Sequence, residues 1–182
     1  SHPKDMNLME GQPYSLAFRK QNPKFNGLVW SYHWVQMTLY DAMLASDAKA
    51  DMDVNVNAVV DRFYEMTRGG VDKLPTVMPM SPAIAPDFST RYPEAAIIFD
   101  NLHSLHDVVS DILANPNVPR DQKRATILEA SAKYRDATSN ITTVDEWVSM
   151  GHAMGLTQQG GPAPLPRRPA PKAAAPHKHP GS

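Results

Sequence analysis

Two imidazoles three residues apart, His103 and His106, sit in the run Asp100-Asn101-Leu102-His103-Ser104-Leu105-His106-Asp107. On a helix that spacing places both rings on neighbouring surface positions, from which they can address one ion or ligand. Asp100 and Asp107 lie about one turn either side of His103, where a carboxylate can hold an imidazole N–H and fix the tautomer. Neutral imidazole suits zinc, copper and iron. A third nitrogen is available from His33 on a second strongly apolar segment, with Met37 one turn further along the same row; His152 stands between Met150 and Met154. Thioether sulfur selects copper, the reduced ion above all, so the ten methionines turn the expectation towards copper, with iron beside it. The expected metal set is His103, His106, His33, His152 and Met37, with Asp100 and Asp107 behind the ligands. Haem b is a second form of the same reading, since helical bundles hold the macrocycle on His or Met ligands.

A blander account of the same residues leads to a different function. An imidazole buried in an apolar helix must find a hydrogen-bond partner or cost about 1–3 kcal/mol, and Asp100, Asp107, Tyr32, Tyr40 and Asp41 are all at hand to serve. The histidines are then structural, no metal or other cofactor is needed, and the protein works through its surface as an accessory subunit of a larger assembly. Trp30 and Trp34 on the first long helix, preceded by Tyr14, Phe18 and Phe25, supply apolar surface for a protein partner. The proline-rich end would act as a tether.

Several chemistries are excluded outright. With no cysteine there is no disulfide, thiolate metal site, cysteine nucleophile or covalent c-type haem. Carboxylate di-iron chemistry requires two carboxylate-x-x-His motifs, and Asp100-Asn101-Leu102-His103 is one copy without a second. The chain has no H-E-x-x-H, Walker loop, G-x-G-x-x-G or G-x-S-x-G sequence. Catalysis is not required by anything in it, and no catalytic residue is assigned. Eighteen basic against nineteen acidic side chains leave a net charge of -1, too little positive field to hold nucleic acid. No apolar run reaches the roughly 18–20 residues that cross a bilayer. The opening Ser1-His2-Pro3, which is not a methionine start, sets the expectation of an exported protein, periplasmic or extracellular, with the cytoplasm as the alternative.

The elements that must position these residues are all helical. Hydrophobic periodicity predicts an all-α fold, a bundle of four main helices plus a short fifth. The first spans about Asn26 to Ser46 with Asn26 as N-cap, and the second follows Asn55 and stops at Gly69-Gly70. A third runs from Pro93 to Ala114 with Ile98, Leu102, Leu105, Val109 and Ile112 as a heptad-spaced core stripe, and a charged fourth begins near Pro119. Thr143 and Glu146 form a capping box that opens the fifth. The connection from Val71 to Tyr92 carries four prolines and is expected to be an irregular wrap laid across the bundle. Residues 1–25 read as an extended arm, 26–158 as the bundle, and 159–182 as a disordered Pro/Ala-rich tail.

Overall fold

Proline punctuates this chain and sets where several helices begin. The computed structural model describes residues 16–168. Within them run α1 (Ala17–Gln21), α2 (Pro23–Leu44), α3 (Lys49–Arg68), α4 (Ser81–Ile84), α5 (Pro86–Arg91), α6 (Pro93–Ala114), α7 (Lys123–Arg135) and α8 (Val144–Ala153). The all-α expectation holds; there is no strand among the described residues. Pro23, Pro82, Pro86 and Pro93 all lie at the first or second helical position, where the missing N–H would have no intrahelical partner and the fixed φ is already helical.

The observed elements correct three expectations. The first long helix starts at Pro23, so Asn26 is a buried residue inside it and not its N-cap. The Val71–Tyr92 connection is not irregular throughout: a single 3-10 turn at Val71–Lys73 and the short helices α4 and α5 use its prolines as starters. Nor is residues 16–25 an extended arm, since α1 and the first turn of α2 fall there; Tyr14 lies outside the described residues. At α8 the expected capping box is present, with Glu146 N–H donating to Thr143 Oγ1 and Thr143 N–H donating to Glu146 Oε2.

α2 and α3 pack along each other, α6 packs on α1 and α7, and α4 lies against α8. The main core gathers Trp30, Trp34 and Met37 of α2, Val59 and Met66 of α3, Met80 and Ile84 of the wrap, Ile97 of α6 and Trp147 of α8. A second, smaller core under α6 and α7 holds Val108, Ile112, Val118 and Ala130.

α6 is turned relative to the expected stripe. Ile98 is 66% exposed, Leu102 59% and Leu113 56%, while Asp100, Asp107 and Asp111 are buried. Of the five stripe residues only Ile112 is buried. The carboxylates can sit inside because other elements bring them donors. Asp111 accepts from Leu16 N–H (3.2 Å), Phe18 N–H (2.8 Å) and Arg19 Nη2 (3.1 Å), which satisfies the start of α1. Asp100 accepts from Ser81 N–H, Ser81 Oγ (2.7 Å) and Trp147 Nε1 (3.0 Å), tying α6 to α4 and α8.

The bundle continues past the expected end at residue 158. Gln159 is fully buried, accepts from Met80 N–H and donates to Gly151 O at 2.7 Å. Trp34 Nε1 donates to Gly161 O (2.8 Å), and Ala163 N–H donates to Ile84 O. Gly160 has φ +98°, and a Cβ there would stand 2.8 Å from both Met66 Cε and Trp34 Cδ1. Arg168 closes the strap with bonds to Asp41 (3.0 Å) and Asp87 (2.8 Å). These contacts are long-range in sequence, which is why composition alone reads the segment as tail. His177, His179 and the remaining tail lie outside the described residues.

Candidate functional site

α2 and α6 are the two most apolar long helices, yet their facing surfaces part to leave a cleft of about 560 Å³. Val29 and Tyr32 of α2 form one wall, and Leu102, Leu105 and Val109 of α6 form the other. These α6 residues, expected in the core, line this cleft instead. Gln36, His33, His103, His106 and the Tyr32 hydroxyl supply the polar atoms of the lining, and no Lys, Arg, Asp or Glu lines it among the described residues.

His33 and His103 meet in this cleft, with ring centroids 3.9 Å apart and planes inclined by 34°. Phe99 completes a cluster of three rings, 5.2 Å from the His33 ring and 4.5 Å from that of His103. Each imidazole is fixed by a backbone carbonyl. His33 Nε2 lies 2.5 Å from Pro79 O, and His103 Nδ1 lies 2.8 Å from Phe99 O, one turn earlier on α6. A carbonyl only accepts, so these two nitrogens carry the protons and donate. The remaining nitrogens, His33 Nδ1 and His103 Nε2, are then the acceptors. His33 is 1% exposed, and its Nδ1 has no partner among the described residues. Burial, reinforced by the adjacent His33 ring, pushes the His103 imidazole down to about 4, so it is neutral at physiological pH.

The expected metal set is only partly assembled. His33 and His103 come together, and His106, one turn on, stands exposed at the rim. His152 is exposed on α8 and is absent from the cleft lining, while Met37 is sealed in the main core among tryptophans. Among the described residues no three His, Asp or Glu side chains form a group able to hold a metal ion. The stacking itself argues the same way. Two imidazoles on one ion, with metal–nitrogen bonds of about 2.1 Å, place their centroids about 5 Å apart at a tetrahedral angle and farther apart across a haem. At 3.9 Å the two rings face each other and do not converge on a shared ion.

The carboxylates also take other roles. Asp100 approaches His33 Nε2 at 3.6 Å, not His103, and its oxygens are occupied by Ser81 and Trp147. Asp107 sits 3.8 Å from Arg19 Nε beside Asp111; burial raises its carboxyl to about 7 against the pull of Arg19. The i, i+3 signal of the sequence thus locates the cleft, while the acceptor that no partner satisfies belongs to His33. No local pattern could show that, because its partner carbonyl comes from Pro79, 46 residues away.

A larger hollow of about 770 Å³ lies along α3, edged by Asp61, Arg62, Glu65, Arg68 and Lys73. Its opposite charges offset one another, as in the Arg62–Glu65 pair at 3.3 Å. No helix is long and apolar enough to cross a membrane among the described residues. Compared with known proteins, the chain matches no family model, no curated protein and no solved structure.

Proposed function

We propose that this is a non-catalytic binding protein whose α2–α6 cleft takes a small apolar molecule, held against the His33–His103 pair. The observation that carries the reading is the apolar cleft walled by Leu102, Leu105, Val109 and Val29, with a neutral His103 in its lining whose Nε2 is not engaged by the Phe99 carbonyl. A ligand there buries its own apolar surface and can meet His103 Nε2 with a donor. The volume falls within the roughly 300–1,000 Å³ of small-molecule sites. Copper, iron and haem are less well served, for want of converging ligands.

The test is titration with the neutral fluorophore N-phenyl-1-naphthylamine, in wild type and in Val109→Trp, which fills the cleft from its wall. One site per chain, weakened about tenfold or more by the indole, is expected. Equal binding by both proteins, or none by wild type, would overturn the reading.

A second reading, an accessory subunit with a protein partner on the same face, draws on Ile98 and Leu113. They extend the apolar row of α6 beyond the cleft, one turn to either side. Cross-linking from a cysteine placed at Ile98 should then capture a protein specifically, and failure to do so in the native source removes this reading.

A further inference from the structure

The cleft floor has a polarity of its own. Both ring N–H groups that could have faced a ligand are already given to Pro79 O and Phe99 O, so what His33 and His103 have left to offer is acceptor nitrogen. Gln36 spends an amide N–H on Tyr40 Oη at 3.2 Å. No cation lines the walls among the described residues, and the buried carboxylate of Asp100 lies 3.6 Å behind the His33 ring. A carboxylate or phosphate ligand would therefore meet lone pairs and negative potential in an apolar setting, with no charge to offset its desolvation. A ligand with only acceptor atoms, such as a ketone or ether, would leave His103 Nε2 unmet and find donors only at the exposed rim, in Tyr32, Gln36 and His106. Hydroxyl and N–H groups fit.

Resting on the ligand-cleft reading above, we propose that the cleft selects neutral apolar molecules bearing a hydrogen-bond donor, of the alcohol or phenol class, whose O–H donates to Nε2 of His103. Discrimination comes from that acceptor: a site built to receive a donor rejects the analogue lacking it far more strongly than an apolar pocket distinguishes shapes.

Three probes of matched size separate the terms: 4-butylphenol, its methyl ether 4-butylanisole, and 4-butylbenzoate at pH 7.5, each displacing N-phenyl-1-naphthylamine from the wild-type chain. The phenol is expected to bind at least about tenfold more tightly than the ether, and the benzoate more weakly than either. In His103→Phe, which keeps the ring cluster and removes that acceptor, the phenol-to-ether ratio should fall by about threefold or more while ether binding persists. Equal affinity for phenol and ether overturns donor selection but leaves the apolar cleft standing. Preference for benzoate overturns it as well, by revealing a cationic contact. If no probe displaces the fluorophore and Val109→Trp does not affect its binding, the cleft reading itself fails.

Discussion

Replacing Asp100 with alanine tests the account of α6 most directly, because this carboxylate joins three elements and lies on the face that hydrophobic pattern would assign to solvent. The substitution strips the acceptor from two buried N–H groups, Ser81 N and Trp147 Nε1, both bonded at 3.0 Å. Each orphaned donor costs about 1–3 kcal/mol, giving about 4 kcal/mol for the two. Ser81 Oγ can rotate to a new partner, and removal of a buried charge returns about 1 kcal/mol. The expected net loss is about 3 kcal/mol, equivalent to about 6–12 °C in Tm for a chain of this size. Asp100→Asn is the control. Its amide oxygen can stay between Ser81 N–H and Trp147 Nε1 while its NH2 turns to Ser81 Oγ, so the loss should be about 1 kcal/mol. Urea denaturation followed by circular dichroism and tryptophan fluorescence reads both values, with unchanged slope as the check on two-state behaviour. If alanine and asparagine cost the same, or if alanine costs under about 1 kcal/mol, the proposed inversion of α6 is wrong.

The other predictions concern pH, the strap and one glycine. His103 is lowered from 6.5 to about 4, so its contribution to stability is present above pH 6.5 and is lost as pH falls through 4. Asp107 is raised from 3.8 to about 7, so its contribution is present below pH 3.8 and is lost as pH rises through 7. The two oppose each other over the same window. His103→Gln should make stability fall with rising pH between 4 and 7, and Asp107→Asn should make it rise; parallel slopes in both variants would contradict the assignment. Arg168→Ala leaves the buried Asp41 carboxylate, already raised by desolvation, with Phe88 N–H alone, at an expected cost of about 2 kcal/mol and with faster proteolysis after residue 155. Resistance equal to wild type would mean that the strap is held elsewhere. Gly160→Ala forces a Cβ against Trp34 and Met66 at φ +98° and should cost about 2 kcal/mol or more, read as a drop in the denaturation midpoint; a neutral result would show that the strap can shift aside.

Local chemistry was enough to determine the long helices of this protein, though not where α2 and α3 begin or that α1, α4 and α5 form. The run from Pro93 to Ala114, the Thr143–Glu146 cap and the apolar character of α2 follow from period, proline position and side-chain capping, all of which act within a few residues. The pair His103 and His106 on α6 and the single His33 on α2 were legible too. Which face of α6 turns inward was not, because hydrophobic spacing assumes that carboxylates seek water. Here Asp100 and Asp111 find donors from Ser81, Trp147 and Leu16 to Arg19, residues distant in sequence, and their satisfaction outweighs exposure of Ile98 and Leu102. The same holds for the segment after 158, whose polar composition hides bonds to Trp34, Met80 and Asp41. Tertiary structure alone decided that His33 meets His103 beside an apolar cleft, and that His152 and Met37 stay apart from them, since hydrogen-bond partners contributed by remote backbone leave no local trace.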